Sequence, residues 1–174
     1  MINKNIQSLI LETGEDLVTH ANNVSMVFED NTLLHAIIIL NNTTYTSVPV
    51  LDYDNKFKGL ISTSQIFKFL GDKIHKGFDI LENYKVRDAI DNRYFTININ
   101  HTLEEAIRAL INYNFLCVVD DDGVFKGLIT RSTILKKMNH MVHEFDKKYI
   151  VKDRHRNFFH KKTKAIRIDE EITM

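Results

Sequence analysis

The chain has 174 residues, 44% of them hydrophobic and 26% charged. That is enough for one well-buried domain or two small ones packed together, with an ordinary water-compatible composition. Formal net charge is zero, with 23 basic against 23 acidic residues. The chain as a whole therefore does not advertise a nucleic-acid or membrane partner, and no apolar run reaches the length of a membrane span.

A first helix is expected around 4–18, where Ile6, Leu9, Ile10 and Leu17 recur at helical spacing. The acids and amides of this segment interrupt any signal-peptide core, so no export is expected. A short strand over 24–28, "VSMVF", follows. Thr32 then caps a helix whose inner face is Leu33, Ala36, Ile37 and Leu40. Two apolar runs, "VPVLD" and "FKGLI", flank the turn "YDNK", and another helix starts near Ser64. Residues 76–90 form a linker with a short helical piece, "VRDAI".

The pattern then returns. "YFTIN" (94–98) reads as a strand, and Thr102 with Glu105 forms a capping box for a helix carrying Leu103, Ala106, Ile107, Leu110 and Ile111 on one face. "CVVDD" and "FKGLI" surround Asp122-Gly123, a strong hairpin signal, and a last helix starts near Ser132. The repeat is closest in "FKGLISTSQI" (57–66) and "FKGLITRSTI" (125–134), where seven of ten positions are identical. The two differences that change chemistry are Thr63 against Arg131 and Gln65 against Thr133. The offset of 70 residues at Thr32/Thr102 falls to 68 at Gly59/Gly127, so copy one holds two extra residues after its helix. Each copy is β-α-β-β-α, and a repeat fixes the architecture before any single motif does.

The single Cys117 lies in an apolar run and cannot form an internal disulfide, which suits a reducing, cytoplasmic setting. Eight histidines are present. His140 and His143 share a helix face with Glu144 alone beside them, so no metal is expected. No phosphate-binding loop, nucleophile elbow or Cys/His pair marks an enzyme, and none is expected. Residues 147–174 start with nine basic residues over 147–167 and end on acids. They lack a long apolar face and a nucleic-acid reader motif.

The duplicated order, the "YTSVPVLD" entry to the second strand of copy one, and the Gly-Leu-Ile-Ser/Thr segment in both copies resemble a CBS-domain pair, also called a Bateman module. The resemblance covers about 18–146. It implies an α+β fold of tandem CBS domains packed with pseudo-twofold symmetry. The units would be an N-terminal helix (1–17), a first domain (18–75), the linker (76–90), a second domain (91–146) and the basic tail (147–174). "YTSVPVLD" and "NYNFLCVVDDDGVFKGLITR" (112–131) are closer still to the small stand-alone CBS pairs of Gram-positive bacteria that bind cyclic di-AMP.

That resemblance implies a homodimeric regulator, not an enzyme. Its partner would be a (p)ppGpp synthetase/hydrolase or pyruvate carboxylase. One cleft would be built from Asn23, Ser25, Tyr45, Thr46, Ser47, Val48 and Pro49 of copy one with Thr130, Arg131, Ser132 and Thr133 of copy two. The other would use 93–97 and 113–117 with 62–65. Pro49, the sole proline, suits a strand entry that need not donate. A strand-to-helix turn attracts phosphate, and Arg131 adds a permanent cation that Thr63 lacks, so the clefts should be unequal.

Adenosine-binding CBS pairs carry Asp where this chain has Gln65 and Thr133. Its loss disfavours a free ribose diol and fits a 3′,5′-linked ligand. The cyclic-di-AMP subgroup has Lys, Ala and Arg where this chain has Asn23, Ser25 and Ser132, which removes two charges. Alternative readings are an AMP- or ATP-binding regulator and a constitutive interaction module with empty clefts.

Overall fold

The computed structural model describes residues 4–11, 16–91 and 94–148. The basic tail beyond 148 lies outside them. In chain order the elements are α1 (Lys4–Leu11), β1 (Thr19–His20), β2 (Val27–Phe28), α2 (Leu33–Asn41), β3 (Ser47–Leu51), β4 (Phe57–Ser62) and α3 (Thr63–Leu70). Copy two supplies β5 (Thr96–Asn98), α4 (Leu103–Leu110), β6 (Phe115–Val119), β7 (Phe125–Thr130) and α5 (Arg131–Lys148). The β-α-β-β-α order thus occurs twice.

Local chemistry explains the helix starts. The hydroxyls of Thr32, Ser62 and Thr102 accept from the backbone N–H three residues on. Thr130 does the same for Thr133 N at 3.1 Å. Each satisfies a donor that the helix leaves orphaned. The hydroxyl kept at Ser62/Thr130 is therefore a cap. The repeated lysine has a local role too: Lys58 meets Asp52 at 3.7 Å and Lys126 meets Asp120 at 2.8 Å.

Several elements are shorter than the sequence suggests. The helix expected over 4–18 ends at Leu11, with 12–15 outside the described residues. The strand expected over 24–28 reduces to Val27–Phe28, because Ala21–Asn23 coils into a 3-10 turn just before it. The linker is part of a core. After the 3-10 turn at Gly71–Lys76 that ends copy one, it forms 3-10 turns at Phe78–Glu82 and Val86–Asp88, and buries Ile80, Leu81 and Val86 against Leu33, Ile61 and Ile66. In copy two Ile10 of α1 does the same against Leu103, Leu116 and Ile129. Burying such a side chain contributes about 1.5–3 kcal/mol, enough to hold both lead-in segments in place.

The lead-in segments cross over. β1 precedes copy one but pairs antiparallel with β7 of copy two, placing Thr19 opposite Leu128. Asp91 precedes copy two but bridges Leu60 in β4 of copy one. The sheets are β1-β7-β6-β5 and β2-β3-β4. This crossing accounts for the repeated glycine. A Cβ on Gly59 would fall on Ile90 Cγ2 and within 3.0 Å of Asp91 O; one on Gly127 would fall on Thr19 O. Both sit at positive φ, 155° and 150°, where a side chain is strained.

The repeated phenylalanine has an equally specific place. The Phe57 and Phe125 rings stack on each other at 6.2 Å. Phe57 N donates to Gly123 O at 3.0 Å, and Phe125 N to Asn55 O at 2.9 Å. These reciprocal bonds mark the pseudo-twofold axis. Around it Val24, Leu51, Cys117, Phe125 and Leu128 form a third core, the seam between the copies.

Candidate functional site

Two adjoining chambers open beside the seam. The first, of about 400 Å³, lies between Thr44–Thr46 of copy one and Asn114, Phe115, Thr130–Ser132 and Leu135 of copy two. The second, of about 240 Å³, shares Thr46, Asn114 and Phe115 with it and adds Ser47, Leu60, Tyr94, Phe95, Asn112, Tyr113 and Cys117.

The first chamber is built by two strand ends. The segment Thr44–Thr46 leads into β3, and Tyr45 stays 46% exposed with its ring free to face a ligand. Opposite, β7 runs into α5, whose first turn presents Arg131 and Ser132. Thr130 Oγ1 bonds Ser132 Oγ at 2.9 Å and Thr133 Oγ1 at 2.8 Å, so the hydroxyls at this corner form one network. Arg131 is the one charged residue among those lining the chamber. Its guanidinium is anchored from behind: Nε donates to Leu110 O at 2.9 Å, and Nη2 to Tyr113 O at 2.9 Å and Ile111 O at 3.4 Å. A planar fork held by carbonyls is suited to phosphate oxygens.

Five of the sequence-derived site residues, Tyr45, Thr46, Thr130, Arg131 and Ser132, thus line one chamber, and Ser47 lines its neighbour. Val48 and Pro49 are buried within β3, opposite Ile61 and Leu60. They back the chamber and do not line it. Thr133 is occupied with the Thr130 side chain. Asn23 and Ser25 are exposed in the stretch leading to β2 and border neither chamber. Asn114 and Phe115, placed by sequence in the second cleft, border both. Thr44 and Leu135 carried no sequence signal.

Pro49 has a consequence visible only beside Cys117, its repeat counterpart. Cys117 N donates to Phe95 O at 3.3 Å, and β5 starts at Thr96 opposite Cys117. Pro49 has no N–H to give, and β2 starts only opposite Val50. β2 therefore reaches none of Ser47–Pro49, whereas β5 reaches Cys117 of the copy-two counterpart, Phe115–Cys117. Phe95 and Tyr113 add an aromatic pair at 5.3 Å beside the second chamber. The first chamber holds the cation, and Ser47 at the open strand edge lines the second.

Near the start of α3, Gln65 Nε2 donates to the carboxylate of Asp91, and Ser62 Oγ donates to Gln65 Oε1 at 3.0 Å. An acid thus stands beside Gln65, supplied by the crossing segment. Cys117 is buried, and burial pushes its thiol well above the ordinary range, so it is no nucleophile. His140 and His143 are exposed on α5. Among the described residues no three His, Cys, Asp or Glu side chains are placed to share a metal, and no helix is long and apolar enough to cross a membrane.

Comparison with known proteins agrees with this architecture. The CBS domain family profile matches residues 14–72 and 86–140. Cyclic di-AMP receptor B of Bacillus subtilis is 30% identical over 147 residues, spanning 84% of this chain and all of the relative. The crystal structure of CbpB from Streptococcus agalactiae superposes with a TM-score of 0.78 at 25% identity, covering 88% of this chain and 96% of that one. CbpB of Listeria monocytogenes in complex with c-di-AMP superposes with a TM-score of 0.66 at 33% identity, covering 77% and 97%. The duplicated fold and these matches together show that the chain belongs to the CBS-domain family, as a tandem pair related to regulatory nucleotide-binding proteins.

Proposed function

We propose that this protein is a non-enzymatic cytoplasmic sensor that binds cyclic di-AMP in the chamber between its copies. The observation that carries this reading is the joint wall of Tyr45–Thr46 from one copy and Thr130–Ser132 from the other, with Arg131 as its cation. Its volume of about 400 Å³ falls within the range of ligand pockets, about 300–1,000 Å³. The Tyr45 ring offers a stacking face for adenine, Ser47 at the uncovered strand edge offers backbone groups from the adjoining chamber, and Arg131 with the α5 N-terminus offers phosphate contacts. The relatives named for cyclic di-AMP support this ligand. Asn23 and Ser132 are neutral where the subgroup carries charge, and the reading accepts a lower affinity as their consequence.

Ligand occupancy would set the association with a partner enzyme, a (p)ppGpp synthetase/hydrolase or pyruvate carboxylase. A homodimer is part of the proposal. Leu135, Met138 and Val142 leave an apolar stripe exposed on α5, and Phe67, at the repeat place of Leu135, is exposed on α3.

The second reading, a mononucleotide with a free ribose diol, draws on Asp91 beside Gln65. A thermal-shift series with cyclic di-AMP, AMP, ATP and (p)ppGpp separates the two. A ligand at about a hundred times its dissociation constant stabilises the fold by about 2.7 kcal/mol. A shift with AMP or ATP and none with cyclic di-AMP would overturn the first reading.

A further inference from the structure

Arg131 and Thr43 do the same job in different ways. In copy one, α2 ends on a corner where the Thr43 hydroxyl lies 3.2 Å from Leu40 O and 3.3 Å from Tyr45 O. In copy two the corner is two residues shorter and has no counterpart of Thr43. The matching carbonyls, Leu110 O and Tyr113 O, are instead bound by the Arg131 guanidinium, which reaches across from α5. The backbone of Arg131 joins in, donating to Asn114 O at 2.8 Å. The exchange makes the copy-two corner dependent on a cation that also lines the chamber.

A guanidinium has five N–H groups. The corner takes three, one from Nε and two from Nη2. Those of Nη1 remain for the chamber. We infer that Arg131 is a positioning residue that couples an anion in the chamber to the α4–β6 corner, residues 110–114. The corner holds the fork at a fixed angle, so the anion meets a preorganised cation. Reciprocally, a bound phosphate immobilises the fork and stabilises the corner, because coupling between two sites acts equally in both directions. The corner carries Ile111, 72% exposed, and Tyr113, 38% exposed. It also borders both the second chamber and a larger outer groove between β5 and α4, so ligand state reaches the surface there. Copy one has no such link, because Thr43 and Tyr45 close their corner without help from Thr63.

This inference rests on the nucleotide reading above, and one experiment separates the two. Amide hydrogen exchange at Ile111, Asn112 and Tyr113 is followed on the full chain with and without cyclic di-AMP, beside calorimetric titration. All three amides are hydrogen-bonded to α4 carbonyls, so their opening is measurable. In the wild type the ligand should slow their exchange severalfold. Arg131→Ala should speed it about tenfold in the ligand-free protein, the factor one such bond carries, and abolish the ligand effect. A second variant combines Arg131→Thr with the copy-one sequence Asn41–Tyr45 in place of 111–113. It should restore slow exchange through its threonine yet show no response to ligand. Titration heat with unchanged corner exchange would overturn the coupling alone, as would unchanged ligand-free exchange in Arg131→Ala. No heat with the wild type would overturn the nucleotide reading and the coupling with it.

Discussion

The two copies share a fold and a closing motif, yet their halves of the seam are chemically different. Copy one contributes an open strand edge, made by Pro49, and an exposed Tyr45. Copy two contributes a cation, Arg131, and a strand edge already taken by Phe95. The cation lines one chamber, and Ser47 at the open edge lines the chamber adjoining it. Duplication therefore supplied a symmetric frame, and three positions, Pro49/Cys117, Thr63/Arg131 and Thr43 with its missing counterpart, make its two sides chemically unequal.

The shared frame is where the largest effect is expected. Gly127→Ala places a methyl on the Thr19 carbonyl, an immovable backbone atom, at positive φ. Overpacking and strain together should cost about 3 kcal/mol. Gly59→Ala meets the end of the Ile90 side chain first and should cost less. Urea denaturation of both variants tests the ranking; equal costs would mean that the crossing segments yield alike.

Arg131→Ala removes the chamber's cation, and the loss of a charge-assisted bond of about 1.5–3 kcal/mol should weaken cyclic di-AMP binding at least tenfold in calorimetric titration. The converse, Thr63→Arg, should leave this affinity unchanged, since Thr63 is exposed at the start of α3 and borders neither chamber.

Exchanging the strand entries should give a smaller effect. Cys117→Pro deletes the bond to Phe95 O from a buried strand, at a cost of about 2 kcal/mol. Pro49→Ala should change stability by less than about 1 kcal/mol while weakening nucleotide binding, if the open edge is what the ligand uses. Denaturation and titration of the two variants read these outcomes separately.

The smallest effect is in acid. Backbone N–H bonds, first from Lys56, hold Asp52 below its ordinary value, and the Lys126 side chain does so first for Asp120. A carboxylate with a lowered folded pKa binds fewer protons folded than unfolded. Its contribution is therefore present above about 3.8 and fades as pH falls toward the folded value. Urea midpoints between about pH 5 and about pH 3 should decline less in Asp120→Asn than in wild type, and Asp52→Asn should behave likewise.

Much of this was legible in one dimension. The repeat, the caps at Thr32 and Thr102 and the Asp122-Gly123 hairpin all rest on neighbours in sequence. The residues that meet in the chamber were readable only because the resemblance named them. Five of them line it together, while Asn23 and Ser25 stand apart because a 3-10 turn shortens the strand expected there. The linker's place in a core was not legible, since Ile80, Leu81 and Val86 find their partners in other elements.

The sequence by itself determined that the chain is two β-α-β-β-α copies with capped helices and one added arginine, because periodicity, caps and turns are short-range. Only the tertiary structure decided why "FKGLI" is kept twice: each glycine admits the other copy's lead-in strand, and the two phenylalanines stack on the axis. It also decided the geometry of Arg131, read from sequence as a phosphate-binding cation and found anchored on the end of α4. Both facts depend on contacts between segments far apart in the chain, where chain crossing and a shortened loop choose the partner.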